Sequence, residues 1–313
     1  MITWVRSILE KKLRAKKQVI LFRGGKAVGD QLCMTALVEA LHREHGIRSI
    51  VFTHYSEWFR NNPKVVSCLH LSTGTLLGRA QLRILRALKS SRVIEFAAAN
   101  SGEDYVKRMR AEQPMHLVQA NSRELALPMS WRNIKTEIYF TPSEEKKFEG
   151  DFPQLMVPFV CVHSHGKTLF TPNKSWSVEK IQAVINETPQ ITWVQLGGIS
   201  DAPLCSVIDL RGKTNSLRAL AFVISRSQAV VCTEGLYNHI TAAFERPCVV
   251  VHSGFSPTEL AHYSSTSIVV REPQVTCAPC WLLTPCPVAG KPCTSDITSQ
   301  QVTSALRNIV TRR

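Results

Sequence analysis

Four cysteines near the end of the chain have the types and spacing of a metal site. Cys277, Cys280, Cys286 and Cys293 fall within seventeen residues, the first two as C-x2-C, with prolines between them that stiffen the loop. Four converging thiolates suit structural zinc or iron. The alternatives are a pair of disulfides or a loop of free thiols, and the compact spacing favours the metal.

A second set of candidates lies in the glycine-bearing stretch FRGGKAVGDQ. Glycines let a ligand approach the main chain closely, and the N-terminus of the helix that follows favours an anion. Lys26 in this loop is a candidate for binding an acceptor or a phosphate. Asp30 opens the helix, where its carboxylate fits either an N-terminal cap or a general base.

Two further stretches follow predicted strands in the second half of the chain. HSHGKTLFTPNKSW contains His165, Lys167 and Lys174, which suit phosphates because lysine supplies a compact charge with three donors. Solvated loop residues are the alternative. VQLGG ends with Gly197 and Gly198, which permit close contact with a ring or a ribose, or make a tight turn.

The fourth strand end is VVCTEGLYNHITAAFERP. An apolar strand ends at Thr233, Glu234 and Gly235, and a helix follows at once. The N–H groups of that helix terminus can bind an anion, and a glycine keeps the approach open. His239 lies one helical turn on and would face the same space, although a structural role is the alternative for a single histidine.

Alternating strand and helix patterns must position these residues. One series begins at residue 18, and a second begins after the polar, proline-bearing stretch 141–158. Such alternation predicts parallel sheets covered on both faces, with ligands beyond the carboxyl ends of the strands. We expect an α/β protein of two Rossmann-like domains, residues 1–150 and 151–313, joined by a polar linker.

The N-terminal residues and the net charge bear on location and partners. The first eighteen residues have no continuous apolar region and no cleavage site, so we expect a cytoplasmic protein with reduced thiols. A formal charge of +14 suits nucleic acid, anionic lipid or phosphorylated substrates. The same eighteen residues predict a helix with an apolar stripe beside a basic face, either on a membrane surface or docked on its own domain.

Taken in order, these stretches resemble glycosyltransferase family 9, the ADP-heptose heptosyltransferases of bacterial lipopolysaccharide assembly. ILFRGGKAVGDQLCMTALVEAL resembles the family's opening strand, glycine-bearing loop and Gly-Asp. KSW resembles its Lys-x-Trp, LGG its double glycine, DLRGKT its Leu-x-Gly-x-Thr, and TEGLYNH its Asp-Ser-Gly-x-x-x-His. The resemblance covers nearly the whole chain and is weakest between residues 55 and 150.

The resemblance implies the GT-B architecture, two Rossmann-like domains facing a central cleft, with the final helix packing back toward the first domain. It implies an inverting sugar transfer that requires no metal. Asp30 would be the base that deprotonates the acceptor hydroxyl. Lys174 and the helix after Gly235 would neutralise the diphosphate leaving group. The residues that would line the nucleoside pocket are Gly197, Gly198 and Thr214.

One departure from the family concerns the donor. The family's Asp-Ser pair becomes Thr233-Glu234 here, so a carboxylate stands one position later on a longer side chain. ADP-heptose is the first expectation for the donor, and another nucleotide sugar is the alternative. Some members of the family carry a cysteine-rich loop before the last helix, which residues 277–293 resemble.

The expected function is heptose transfer to an anionic acceptor such as the lipopolysaccharide inner core, with peripheral contact at the cytosolic face of the inner membrane. One alternative is a protein acceptor, an adhesin of the autotransporter type. Another is a zinc-knuckle nucleic-acid-binding protein. The aromatic residues do not interleave with the basic ones, which disfavours nucleic acid as a partner.

Overall fold

The computed structural model describes residues 2–96, 115–163 and 171–310, apart from 124, 126 and 128. The chain divides into two compact units, Met1–Phe140 and Thr141–Arg313. A helix expected from the stretch EDYVKRMRAEQ lies outside the described residues. Among the helices that are described, none is both long and apolar enough to cross a bilayer.

The first unit is built on a four-stranded parallel sheet with the order β3-β2-β1-β4. Its strands are β1 (Gln18–Phe22), β2 (Arg48–Thr53), β3 (Val65–His70) and β4 (Val93–Glu95). Its helices are α1 (Ile2–Ala15), α2 (Val28–His45), α3 (Leu76–Ala87) and α4 (Leu117–Arg123).

Helices cover the sheet of the first unit because β1 is apolar on both faces. Leu13 of α1 and Leu85 of α3 pack in one cluster with Ile20 and Phe22, so these two helices share a face. Leu21 points to the opposite face and is fully buried as well. Burial on both faces is typical of parallel sheets, as the sequence predicted.

The second unit is built on a six-stranded parallel sheet with the order β10-β9-β8-β5-β6-β7. Its strands are β5 (Val160–Val162), β6 (Trp193–Gln195), β7 (Val207–Asp209), β8 (Ala229–Thr233), β9 (Cys248–Val251) and β10 (Thr266–Val269). Its helices are α5 (Pro142–Asp151), α6 (Val178–Asn186), α7 (Leu217–Arg226), α8 (Leu236–Ala243), α9 (Pro292–Ser295) and α10 (Ser299–Val310).

The strand order identifies where ligands are expected. Counted from the start of its own unit, the second sheet has the order 3-2-1-4-5-6 of a Rossmann fold, which reverses between β5 and β8. The first sheet reverses between β1 and β4. The prediction of two Rossmann-like α/β domains is therefore confirmed.

The boundary between the units lies ten residues before the predicted one, because the expected linker is helical. Thr141 and Glu144 form a reciprocal capping box that starts α5. The Glu144 carboxylate pairs with buried Arg218 at 2.8 Å, and Phe148 packs on Phe222. These contacts make α5 part of the second unit.

The last helix packs on the sheet of its own unit. Val302 and Leu306 of α10 are fully buried in the cluster that contains Val249 and Val251 of β9. The apolar side of α10 thus completes the core of the second sheet.

Candidate functional site

In the first unit, a buried arginine lies at the point where the strand order reverses. Arg23 directly follows β1 and is 2% exposed. One Nη donates to Oδ2 of Asp30 at 2.5 Å, and the other donates to the carbonyl of Phe96, just after β4, at 3.2 Å. A buried guanidinium needs such partners, so Arg23 fixes the Asp30 carboxylate at this edge of the sheet.

Asp30 is not a helix cap. Helix α2 begins at Val28, and Ala27 occupies the N-cap position without a side-chain hydrogen bond. Asp30 lies in the first turn, where the helix dipole favours a carboxylate, and its side chain is 20% exposed. The cap interpretation is therefore wrong. The general-base role of Asp30 stays a prediction, and the oriented, partly exposed carboxylate is compatible with it.

The glycine-bearing loop is held by a buried glutamine of α2. Gln31 Nε2 donates to the carbonyl of Gly25 at 2.6 Å, and Gln31 Oε1 accepts from the N–H of His54 at 2.8 Å. The Tyr55 hydroxyl donates to the carbonyl of Lys26 at 3.1 Å. The Lys26 main chain is thereby fixed while its exposed side chain extends from the loop that precedes Asp30.

In the second unit, Lys174 and Glu234 form an ion pair beside the reversal point. Lys174 Nζ lies 2.7 Å from Glu234 Oε1, and the side chains are 15% and 5% exposed. Glu234 directly follows β8, while Lys174 ends a short 3-10 turn, Pro172–Lys174, that precedes α6. Lys174 Nζ also lies 4.6 Å from the centre of the Phe255 ring, a cation–π contact.

The Glu234 carboxylate is buried and charged. The Ser256 hydroxyl donates to Oε2 at 2.7 Å, and His252 Nε2 lies 3.5 Å from the same oxygen. Burial alone would raise the pKa of Glu234, but the charge and hydrogen bonds of its neighbours, Lys174 first, lower it to about 2. Burial lowers the pKa of His252, so the imidazole is neutral at pH 7 and Lys174 is the cation that matters there.

The start of α8 is open to a ligand. Gly235 has φ +152°, a backbone conformation that favours glycine, and a Cβ built there would have no described atom within 4 Å. The Oγ1 atom of Thr233 is buried and has no hydrogen-bond partner in the described part of the chain. Helix α8 therefore begins directly after Glu234, the ion-pair partner of Lys174, in an arrangement that suits an anion.

The glycine pair after β6 is a tight turn closed by an aspartate. Gly197 has φ +142°, and the Asp201 carboxylate accepts from the N–H of Gly198 at 2.9 Å. The N–H of Gly212 donates to the carbonyl of Gly197 at 2.8 Å, which joins this turn to the loop after β7. Thr214 is half-buried in that second loop. The three predicted nucleoside-pocket residues thus lie on two connected loops.

Two described histidines of the second unit, His163 and His239, have packing partners. His239 is buried, and its Nδ1 lies 2.6 Å from the Tyr263 hydroxyl. The ring of His163 stacks on Tyr237 with centroids 3.8 Å apart. His165 and Lys167 lie outside the described residues. The donor role of His239 stays a prediction beside this structural contact.

The cysteine loop, residues 277–293, packs against Gly254 and ends within α9, which contains Cys293. The N–H of Cys280 donates to the carbonyl of Gly254 at 2.9 Å, and a Cβ built at Gly254 would lie 3.3 Å from that of Cys293. Burial raises the pKa of the Cys280 thiol, and the charges of the other three cysteines raise it further. Within the ranges that the structure describes, no three His, Cys, Asp or Glu side chains are grouped as metal ligands would be.

This loop is fastened to the residue before Lys174. Asn173 Nδ2 donates to the carbonyls of Leu282 and Thr284, both at 2.8 Å, and its Oδ1 accepts from the N–H of Cys286 at 3.1 Å. Lys291 Nζ donates to the carbonyls of Pro172 and Ser175 at 3.2 Å. The cysteine loop therefore positions the turn that carries Lys174.

Sequence reasoning missed three residues that shape these sites. Arg23 had a usable signal, a charged residue directly after a buried strand. Asn173 and Ser256 had none, since their partners lie 109–113 and 22 residues away along the chain.

Comparisons with known proteins give matches in structure alone. No family model and no curated protein matches the chain. A crystal structure of a family 9 glycosyl transferase from Veillonella parvula aligns with a TM-score of 0.66 at 11% identity, covering 95% of this chain and 98% of that one. The Escherichia coli ADP-heptose lipopolysaccharide heptosyltransferase II aligns with 0.63 at 16% identity, covering 94% and 99%.

A third solved structure is the iron-containing dodecameric glycosyltransferase TibC from enterotoxigenic E. coli. It aligns with a TM-score of 0.66 at 13% identity, covering 94% of this chain and 76% of that one. At such identities the likeness concerns the fold. The chain has the α/β fold that these glycosyltransferases share.

Proposed function

We propose that this protein is a glycosyltransferase that moves a sugar from a nucleoside diphosphate to an acceptor hydroxyl. The observation that carries the proposal is the position of Lys174, which pairs with Glu234 directly before the glycine-started helix α8, at the reversal point of the second sheet. Both features suit a diphosphate. The shared fold supports the proposal, because the similar structures are glycosyltransferases.

The proposed chemistry is an inverting displacement. Asp30, oriented by Arg23, accepts the proton of the acceptor hydroxyl as its oxygen attacks the anomeric carbon. The glycosidic bond breaks, and its electron pair leaves on the diphosphate. Lys174 and the N–H groups of α8 stabilise that charge, so the transfer requires no metal.

ADP-heptose is the proposed donor, and an anionic glycolipid is the proposed acceptor. TibC was solved with ADP-D-beta-D-heptose, and E. coli heptosyltransferase WaaC with ADP. The net charge of +14 suits an acceptor with phosphates or acidic sugars at the cytosolic face of a membrane. A protein acceptor is the alternative, and the destination of a labelled sugar, lipid or protein, distinguishes the two.

A donor screen by thermal unfolding tests the proposal. ADP-heptose at about 100 times its dissociation constant should stabilise the chain by about 2.7 kcal/mol, a rise of a few degrees in Tm, while oligonucleotides should have no effect. UDP-sugars and GDP-sugars serve as controls for the choice of nucleobase in the donor. Stabilisation by oligonucleotides alone, weakening steeply with salt, would instead favour the nucleic-acid-binding alternative.

We also propose that the cysteine loop holds one structural zinc or iron ion. The support is the donor set of four thiols on one proline-rich loop and the iron-containing character of TibC. The metal would close the loop and take no part in sugar transfer. Through Asn173, the closed loop would keep the turn before α6 in place.

Metal analysis tests this second proposal. Protein purified without added metal should contain about one equivalent of zinc or iron, and Cys280→Ser should lose the metal and weaken ADP binding. Cys205→Ser is the matched control, because Cys205 is an exposed cysteine outside the loop. Metal far below one equivalent, with unchanged Tm after chelation, would rule the proposal out.

A further inference from the structure

Helix α1 is docked on the first unit by its second half. Leu13 is buried in the cluster with Ile20 and Leu85, and Leu9 packs against the same cluster. The Ser91 hydroxyl donates to the Glu10 carboxylate at 3.2 Å, which ties the middle of α1 to the segment after α3. The docked-helix interpretation of the sequence therefore holds for this half.

The first half of α1 continues the apolar stripe beyond these contacts. Ile2 and Val5 lie on the same helical stripe as Leu9, yet they are 59% and 41% exposed. Trp4 is 68% exposed. Tryptophan and large aliphatic side chains at the end of a basic helix are typical of a segment that enters a lipid headgroup region.

Helix α3 shares the sheet face with α1 and also exposes large apolar side chains. Leu85 and Leu82 of α3 contact the cluster that contains Leu13 of α1. On its outer side, Leu76 is 80% exposed and Leu77 is 72% exposed. Two amphipathic helices thus lie over one face of the first sheet, and both present apolar side chains to solvent.

Most of the net charge of the chain lies on these two helices and the residues that follow them. Residues 2–17 and 75–95 contain eleven lysines and arginines against Glu10 and Glu95, a net charge of +9 out of +14 for the whole chain. Glu95 pairs with Arg86 at 2.7 Å and with Lys89 at 3.8 Å, and within the described ranges no other lysine or arginine of these two segments forms an ion pair. An acidic surface is therefore the electrostatic complement.

We propose that α1 and α3 together form a surface that binds an anionic lipid bilayer, the lipid-binding face. Basic side chains would contact headgroups, while Trp4, Leu76 and Leu77 enter the interface. Nucleic acid is disfavoured because the exposed apolar side chains are mainly aliphatic and offer little stacking. Self-association through this face would bring like charges together. The proposal deepens the membrane contact proposed above and does not depend on sugar transfer.

Vesicle sedimentation of the full chain tests the lipid-binding face. The protein should bind vesicles of phosphatidylcholine with phosphatidylglycerol at least about tenfold more tightly than vesicles of phosphatidylcholine alone, and less tightly as salt rises. Trp4→Ser with Leu77→Ser should lower binding about tenfold, because both side chains lose their burial in lipid. Arg79→Ser with Arg83→Ser should lower binding to anionic vesicles by a similar factor.

Matched controls lie in the second unit, where Met156 is 80% exposed and Lys146 is exposed. Met156→Ser and Lys146→Ser should leave vesicle binding unchanged. Equal effects of the control and test variants, or equal binding to both kinds of vesicle, would overturn the proposal. The proposal would also be overturned if the test variants abolished a dimer or a nucleic-acid complex but left vesicle binding unchanged. If the protein bound vesicles but no nucleotide sugar raised its Tm, the glycosyltransferase proposal would be contradicted and the lipid-binding face would stand.

Discussion

Asp30→Asn should lower the turnover of sugar transfer at least about a hundredfold while the fold and the donor affinity stay intact. The amide has no basic oxygen to accept the acceptor proton, but it still offers an oxygen to Arg23, which lies 2.5 Å from the Asp30 carboxylate. Asparagine is therefore preferable to alanine, which would leave the buried guanidinium without this partner. Turnover at saturating donor and acceptor is the measurement.

The matched control for this variant is Asp151→Asn, since Asp151 is an exposed carboxylate at the end of α5. It should retain normal activity. A turnover in Asp30→Asn within a few-fold of the unchanged protein would contradict the base assignment. A lower Tm in Asp30→Asn would instead show that Asp30 stabilises the fold through its ion pair with Arg23.

Local patterns in the sequence predicted the elements that depend on nearby residues. The alternation of apolar runs predicted both parallel sheets, and Ser216, a residue type favoured at helix starts, caps α7 by accepting from the N–H of Ala219. The stretch around Thr141 contained a usable signal as well, because a threonine followed three residues later by glutamate is a capping box. Its polar composition and its prolines predict a linker, but the capping box starts a helix.

The contacts that build the candidate site depend on residues far apart in the chain. Arg23 meets the carbonyl of Phe96 73 residues away, and Lys174 meets Glu234 60 residues away. Such pairs follow from strand order, which brings the ends of β1 and β4, or of β5 and β8, to one edge. A single sequence does not specify that order, so the role of Arg23 emerged only with the fold.

At Thr233-Glu234, where the sequence differs from the Asp-Ser pair of the family it resembles, the structure shows what the glutamate contacts. The Glu234 side chain turns into the protein, where Lys174 and Ser256 contact its two oxygens. Its carboxylate thus holds the lysine that would meet the donor phosphates. We propose that Glu234 positions Lys174, and its direct contact with the donor stays a prediction.

Lys174→Met should destabilise the protein by about 3 to 5 kcal/mol, because it leaves the Glu234 carboxylate buried without its cation. The double variant Lys174→Met with Glu234→Gln removes that unpaired charge and should recover most of the lost stability. Its affinity for ADP should still be lower by about ten- to a hundredfold, because a charge-assisted hydrogen bond to phosphate is missing. Urea unfolding and titration calorimetry measure the two effects separately.

The pH dependence of stability gives an independent check on the same pair. The pKa of Glu234 in the folded chain is about 2, below its ordinary value of 4.5. A lowered pKa means that the stabilising contribution is complete above about pH 4.5 and is lost as the pH falls toward 2. The double variant should lack this part of the acid-induced loss, whereas Lys147→Met, a change at an exposed lysine of α5, should retain it. Normal ADP affinity in a double variant of restored stability would show that Lys174 serves the fold alone, because a lysine that neutralises the diphosphate cannot be removed without weakening its binding.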